Sequence, residues 1–342
     1  GDSMSIDYHP YYSPYNDNAC GAFCLTRIES IEIPASVEII GPNAFRATSL
    51  KNVSFDTNSK LKVLTSQGLG SRDVVYYPIG TEYIESGMKK FSSSYSEPEG
   101  AFSQCIFTDI ILPKSLEYIG PETFACSSVI SVSFEEGSLL KEIGELSFAN
   151  SAITSIAIPA KVYRIAGAAF HNCTSLFTIE FDKLSALETI EYSLYNHSPN
   201  DRAQLNGAFY GCTALTSITL PASLTEIAKY SFYGCTALKT IKFSENATLA
   251  TIGDYGFYDC PVLHTVDMSN CNQVTKIGES AFKSSDEMRL FKIGTVVPPT
   301  CGSTPFGAVG NYSVLKVPDG AVTQYQSASG WKDFASITGL NE

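Results

Sequence analysis

The fold is decided by the stretch Cys212-Thr-Ala-Leu-Thr-Ser-Ile-Thr-Leu-Pro-Ala-Ser-Leu-Thr-Glu-Ile-Ala-Lys-Tyr-Ser-Phe-Tyr-Gly234. The chain repeats this pattern immediately afterwards. Cys-Thr-Ala-Leu returns from Cys235, and Ile241, Leu249 and Phe257 follow at matching positions. The shared template is Leu-x-x-Ile-x-Leu-Pro-x-x-Leu-x-x-Ile-Gly-x-x-Ala-Phe-x-x-Cys. A repeat of this length predicts a solenoid, in which each turn packs only against its neighbours.

The last Phe of the template marks each turn and recurs along most of the chain. These anchor phenylalanines are Phe23, Phe45, Phe102, Phe124, Phe148, Phe170, Phe209, Phe232, Phe257 and Phe282, and most steps are 22–25 residues. We interpret the two longer gaps as degenerate turns with Leu69 and Leu194 at the anchor position. The sequence therefore predicts about twelve turns of 22–25 residues.

Within each turn the hydrophobic pattern predicts a short strand followed by an arc. Ile218-Thr219-Leu220 alternates with the period of two that buries one face of a strand. Pro221 ends the strand because it lacks the N–H that a ladder needs. Leu224, Ile227 and Phe232 then follow at spacings that suit an irregular or 3₁₀-like arc.

Composition and charge restrict the partners. The 342 residues carry a net charge of −12, and no block of Lys or Arg stands out. Nucleic acid and anionic membranes are poor partners for such a chain. No run of about 18 apolar residues predicts a membrane span. Gly1-Asp2-Ser3-Met4 does not begin a secretory signal peptide, so we expect any export signal to be absent from this sequence.

The template resembles the BspA-like (Treponema-type) bacterial leucine-rich repeats over about residues 20–284, apart from two insertions. Val317-Pro318-Asp319-Gly320, Tyr325 and Gly330-Trp331-Lys332-Asp333-Phe334 resemble the closing segment of that family. The resemblance implies a leucine-rich-repeat solenoid with short parallel strands on one face. It also implies a cell-surface or secreted protein of host-associated bacteria, in some members an adhesin for matrix proteins. The family has no shared catalytic residues.

Three regions follow from this alignment. Residues 1–19 match no repeat and are expected to form an irregular N-terminal segment. Residues 20–284 form the solenoid, with insertions at about 70–99 and 195–206. Residues 285–342 form a C-terminal cap, in which a short helix over 319–328 and the side chains of Trp331 and Phe334 close the last apolar face.

Most of the ten cysteines follow the repeat. Cys105, Cys173, Cys212, Cys235 and Cys260 lie three residues after an anchor Phe, and Cys126 lies two after one. We predict a ladder of small buried residues whose thiols donate weakly to turn carbonyls. Neither zinc spacing nor a setting for a reactive thiol is evident, so no metal or cofactor is predicted. Whether Cys20 pairs with Cys24 stays open.

Recurring glycines and scattered histidines have structural interpretations. Gly144, Gly253 and Gly278 share one turn position, which indicates either a positive φ or tight packing. The four histidines form no catalytic or metal-binding pattern.

Two surfaces are candidates for binding. The outward strand positions are mostly Ser and Thr, which favours a solvated face over a binding face. The insertions are better candidates, with Tyr76, Tyr77, Tyr83, Phe91 and Tyr95 in the first and Tyr195 and Arg202 in the second. They leave at the same phase of the repeat, five turns or about 25 Å apart. The alternative is that these loops pack back on the solenoid.

The sequence favours a non-catalytic, adhesin-like interaction module at the cell surface or outside the cell, which binds a protein or glycan and is expected to be a monomer. One alternative is a structural stalk that presents another domain. A second is a glycan-acting β-helix enzyme, which would need clustered carboxylates on the outward strand positions. Asp109, Glu180 and Asp267 are isolated instead, which disfavours the enzyme.

Overall fold

The computed structural model describes the strand Met4–Ile6 and residues 21–65, 100–193 and 206–342. Over these residues the chain coils into a parallel β-solenoid of about eleven turns, one fewer than the sequence predicts. Each regular turn contributes one strand to a front sheet and one shorter strand to a back sheet. No helix in the described ranges is long and apolar enough to cross a membrane.

The front strands have four residues each and, except at two breaks, pair in parallel with the equivalent strand of the next turn. The breaks lie between Asn52–Phe55 and Asp109–Leu112 and between Thr178–Phe181 and Ser217–Leu220, so the front sheet consists of segments of two, four and six strands. They are Ser30–Ile33, Asn52–Phe55, Asp109–Leu112, Ser131–Phe134, Ser155–Ile158, Thr178–Phe181, Ser217–Leu220, Thr240–Phe243, Thr265–Met268, Leu290–Ile293, Val314–Val317 and Ser336–Gly339. The predicted alternation is present, because Ile218 and Leu220 are buried while Ser217 and Thr219 are exposed.

The back strands form one continuous parallel sheet of eleven strands where the sequence predicted irregular arcs. They are Met4–Ile6, Val37–Ile40, Val63–Leu64, Tyr118–Ile119, Glu142–Ile143, Arg164–Ile165, Thr189–Ile190, Glu226–Ile227, Thr251–Ile252, Lys276–Ile277 and Thr300–Cys301. Most have two residues, too few to show an alternating pattern in sequence. Met4–Ile6 pairs with Val37–Ile40, so the N-terminal segment is not wholly irregular.

The anchor phenylalanines stack into a column along the core, and neighbouring ring centroids lie about 5 Å apart. Phe232 lies 5.0 Å from Phe209 and 4.9 Å from Phe257, with nearly parallel rings. Phe306, which is not among the predicted anchor residues, extends the column beyond Phe282, with ring centroids 5.8 Å apart. Offset stacking of this kind stabilises a core beyond the area that it buries.

The column shows that the two degenerate turns do not exist. Phe45 stacks directly on Phe102, and Phe170 directly on Phe209, each at 5.1 Å. Each long gap therefore lies inside a single turn, between its back strand and its anchor Phe. Leu69 and Leu194 lie outside the described residues. The additional turns were suggested by the gap lengths and by the leucines and isoleucine that precede these two residues at repeat spacing, namely Leu61, Leu64, Leu187 and Ile190.

Left-handed backbone residues bend the chain on both sides of the anchor Phe. Around Phe232, Tyr230 has φ +59° and Gly234 has φ +70°, and most other turns repeat this arrangement with non-glycine residues. The recurring glycine position has a different cause. A Cβ on Gly253 would lie 2.6 Å from the backbone nitrogen of Lys229, and its φ is not positive. Tight packing between turns is the correct interpretation, and positive φ is wrong.

The C-terminal end closes over the last turns. A 3₁₀ turn, Asp319–Ala321, leads into the helix Val322–Ser327, where the sequence predicts one. The Trp331 ring is fully buried, and its Nε1 donates to the carbonyl oxygen of Pro299 at 2.9 Å. Phe334 packs edge-to-face on Phe306 at 5.0 Å. These contacts cover the end of the phenylalanine column.

Candidate interaction surfaces

The thiol ladder is part of the core. Each of its five thiols donates to the carbonyl oxygen of the anchor Phe in the preceding turn, as the sequence predicts. The S···O distances are 2.9 Å for Cys105–Phe45 and Cys173–Phe148, 3.2 Å for Cys212–Phe170, 3.3 Å for Cys235–Phe209 and 3.5 Å for Cys260–Phe232. Burial raises the pKa of Cys173 and Cys235 to about 12. These groups stay protonated and are poor nucleophiles or metal ligands.

Cys126 does not belong to this ladder. It is exposed and has φ +54°, because it occupies the left-handed position two residues after Phe124. Ser127 takes the ladder position of that turn, and its hydroxyl donates to the Phe124 carbonyl oxygen at 2.7 Å. The prediction of a buried Cys126 is wrong because one residue of register separates the interior from solvent at this corner.

The predicted binding residues of the insertions, Tyr76, Tyr77, Tyr83, Phe91, Tyr95, Tyr195 and Arg202, all lie outside the described residues. The described ends show where the chain leaves and returns. The first departure follows Thr65 and the chain returns at Gly100, whereas the second follows Ser193 and the chain returns at Asn206. Asn206 itself belongs to the strand Asn206–Gly207, which pairs antiparallel with Tyr192–Ser193.

Both departures lie between a back strand and an anchor Phe, so they do share one phase of the repeat. The back strands Val63–Leu64 and Thr189–Ile190 are four steps apart in the sheet, and the predicted separation of five turns is wrong. The corresponding distance is about 19 Å at about 4.8 Å per strand. Binding by the seven insertion residues stays a prediction.

A row of aromatic side chains lies next to the second departure and was missed in the sequence. His171, Tyr210, Tyr233 and Tyr258 each follow an anchor Phe and stack in order with ring centroids 5.0 Å apart. A second row, Tyr230 and Tyr255, stacks at 5.2 Å and meets the first row edge-on. We call these six residues the aromatic corner.

The aromatic corner is half-buried, and each of its rings stacks on at least one other. Stacking covers most ring faces, so ring edges and phenol oxygens are the parts available to a partner. Burial raises the pKa of Tyr210, Tyr233 and Tyr230, and nearby carboxylates such as Asp259 add to the shift. The phenols therefore stay neutral hydrogen-bond donors at physiological pH. Tyr-Ser-Phe-Tyr at 230–233 and Tyr-Gly-Phe-Tyr at 255–258 are the sequence signal that could have identified the corner.

A charged network on the back sheet has a structural role. Arg164 donates to both oxygens of Glu191 at 2.8 and 2.7 Å and to Glu142 at 3.0 Å. Tyr163 donates its hydroxyl to the same Glu142. Burial raises the pKa of neighbouring Glu145 to about 7, although the charge of Arg164 opposes the shift. Among the described residues, no three His, Cys, Asp or Glu side chains form a group that could hold a metal.

The outward positions of the front strands are exposed or half-buried at every predicted residue, from Ser30 to Asp267. They contain few aromatic side chains, and a solvated face without a ligand stays a prediction. The histidines in the described ranges are also separated. His171 stacks in the aromatic corner, whereas the His264 Nε2 lies on the front side, 4.0 Å from a Glu287 carboxylate oxygen.

Short parallel strands in register, a column of anchor residues and a fixed hydrogen-bonding ladder define a leucine-rich-repeat solenoid. The family model of the BspA type leucine-rich repeat region matches this chain over residues 19–94, 96–202 and 205–320, in 6 copies. This chain belongs to the BspA-type leucine-rich repeat family. No curated protein matches the chain.

Solved structures that match this chain come from several bacteria. The pneumococcal vaccine antigen PcpA is 20% identical with a TM-score of 0.48, over 94% of this chain and 70% of that one. A leucine-rich repeat protein from Bacteroides ovatus is 17% identical with a TM-score of 0.44, over 98% and 92%. A leucine-rich cell surface protein from Faecalibacterium prausnitzii is 19% identical with a TM-score of 0.37, over 99% and 87%.

Proposed function

We propose that the chain is a non-catalytic interaction module that acts at the cell surface or outside the cell and binds proteins through the aromatic corner. The aromatic corner is the observation that carries the proposal. Interfaces concentrate their binding free energy in a few residues, and tyrosine is among the residue types enriched there. Family membership supports the same class of function, because leucine-rich-repeat solenoids display extended surfaces rather than enclosed sites.

Rigidity makes the aromatic corner suitable for binding. Tyr233 and Tyr258 are fixed by stacking on each other and by edge contacts with Tyr230 and Tyr255. A partner that contacts them loses little additional side-chain entropy, since the rotamers are already restricted. Each phenol adds a polar group at the end of an apolar ring, which suits a protein surface of mixed character.

The ladder thiols support a function without catalysis. Burial raises the pKa values of all five thiols. A thiol that stays protonated and bonded to a carbonyl is unsuited to covalent catalysis.

The test is an array of purified extracellular matrix proteins and glycans probed with the wild-type chain and two double variants. Tyr230→Ala/Tyr255→Ala removes the second row of the aromatic corner and leaves the phenylalanine column intact. Tyr118→Ala/Tyr163→Ala is the matched control, because these tyrosines are also half-buried but lie on the back sheet away from the corner. We expect a protein ligand whose binding is weakened by about tenfold or more in the corner variant alone.

Three results would contradict the proposal. The first is that the chain binds glycans only. The second is that both double variants lose binding affinity equally, and the third is that the chain chemically converts an arrayed ligand. Thermal melts of all three proteins ensure that the comparison is made between folded chains.

A further inference from the structure

The front sheet gathers cations that are far apart in sequence. Three rows of outward residues run along the solenoid axis: the residue just before each front strand, and the first and third residues of the strand. In turns near the C-terminus these rows contain Lys239, Lys242, Arg289, Lys292 and Lys316, which we call the basic strip. The strand register aligns Lys242 with Asp267, Asp267 with Lys292, and Lys292 with Lys316.

The basic strip contrasts with the rest of the chain. The same three rows contain one carboxylate, Asp267, from residue 216 onward. In the turns before residue 182, they contain a single cation and four carboxylates, namely Lys51, Glu29, Glu32, Asp109 and Glu180. The whole chain has a net charge of −12. A local excess of cations on an acidic protein is a position where a partner of opposite charge is selectively attracted.

Most of the basic strip is available to a partner. None of the described carboxylates forms an ion pair with Lys239, Lys242 or Lys316. Lys292 contacts Asp267 at 3.1 Å. Arg289 lies over the Tyr312 ring at 4.4 Å from its centroid, and is 3.7 Å from Glu287. The aromatic contact holds the guanidinium group while leaving its donors able to bind a carboxylate.

The strip also contains an apolar pair. Leu290 and Val314 are register partners in its first strand row, both are half-buried, and Arg289, Lys292 and Lys316 surround them. An anionic polysaccharide or a nucleic acid backbone has no side chain for such a pair. A polypeptide that alternates acidic and apolar residues has side chains for both the cations and the apolar pair. The combination of charge and apolar surface favours a protein partner.

We propose that the basic strip binds an acidic, extended segment of a partner protein. The strip spans three strand spacings from Lys242 to Lys316, or about 14 Å, which an extended peptide covers with about five residues. This inference rests on the proposed function, that the chain binds protein partners, because it specifies the chemistry of one such partner. The basic strip lies on a different face from the aromatic corner, so binding at either surface can be disproved without affecting the other.

Fluorescence anisotropy with a labelled ten-residue peptide of alternating Glu and Leu tests the proposal, against a matched peptide of alternating Gln and Leu. We expect binding of the acidic peptide only, weakened as salt rises. Lys242→Glu/Lys292→Glu/Lys316→Glu is expected to lower the affinity by about tenfold or more. Lys60→Glu/Lys161→Glu/Lys183→Glu changes the net charge equally at exposed lysines outside the strip, and is expected to change affinity by less than about threefold.

Asp267→Asn gives an effect of the opposite sign, which misfolding cannot imitate. It removes the carboxylate that competes for Lys292 and keeps an amide oxygen to accept from Ser269. We expect the acidic peptide to bind about threefold more tightly to this variant. Weaker binding to Asp267→Asn, or equal loss in both lysine triple variants, would overturn the proposal.

Three further measurements complete the test: two distinguish other partners, and the third separates this proposal from the proposed function. Tighter binding of heparin than of the acidic peptide would replace the protein partner by an anionic glycan and so overturn the proposal. Dimerisation at low salt that the lysine triple abolishes would assign the strip to a second copy of this chain, and would also overturn it. Unchanged peptide binding by Tyr230→Ala/Tyr255→Ala supports it and shows that its outcome is independent of the aromatic corner.

Discussion

Phe232→Ala tests the stacked column on which the fold depends. The Phe232 ring is fully buried and contacts Phe209 at 5.0 Å and Phe257 at 4.9 Å. Removing a buried Phe ring from a core costs about 3–5 kcal/mol. Each stacked pair contributes about 0.5–1.5 kcal/mol beyond its burial, and two are lost. We therefore expect a decrease in the free energy of unfolding near the upper end, about 5 kcal/mol.

The assay is urea unfolding followed by far-UV circular dichroism and by tryptophan fluorescence. The single tryptophan, Trp331, lies in the C-terminal cap, so the second signal reports whether the cap unfolds together with the damaged turn. Phe177→Ala is the matched control, because that ring is 57% exposed and its loss should change stability by less than about 0.5 kcal/mol. Equal stability of the Phe232→Ala and wild-type chains would refute the assigned register.

Three more predictions follow from the core and its ends. The pKa of Glu145, raised to about 7, means that the folded chain binds a proton more tightly than the unfolded chain, so stability falls as pH rises from about 4.5 to 7. Glu145→Gln should remove this loss and, in thermal melts, be more stable than wild type by about 3 kcal/mol at pH 8 and equal at pH 4. Native alkylation mapped by mass spectrometry should label exposed Cys126 and leave Cys235 unlabelled until unfolding; rapid labelling of Cys235 would contradict its burial. Ending the chain before Pro318 exposes Phe291 and the end of the column, and should give aggregates in size-exclusion chromatography, whereas soluble folded material would contradict the capping role.

The periodic part of the fold could be predicted because it repeats. The Phe at 232 and the Leu at 220 occupy positions that recur many times, so each occurrence supports the others. The back strands could not be predicted in the same way, since a pair such as Glu226–Ile227 is too short to show an alternation. Its pairing becomes evident only when the neighbouring turns are placed beside it.

The surfaces were harder to predict because they depend on which turns lie side by side. Lys242 and Lys316 are 74 positions apart in sequence and form no block of charge, yet only three strand spacings separate them in the sheet. The aromatic corner was missed for a related reason. Its tyrosines lie at the bends next to the anchor Phe, whereas the binding residues predicted from the sequence lie on strands and in insertions.

The uninterrupted stacking of Phe45 on Phe102 has a consequence for engineering the chain. A segment that enters after Thr65 and leaves before Gly100 changes neither the number of coils nor the contacts between them. The entropic cost of closing such an excursion grows only slowly with its length. We therefore expect this position to accept a grafted epitope while the solenoid that carries it stays the same.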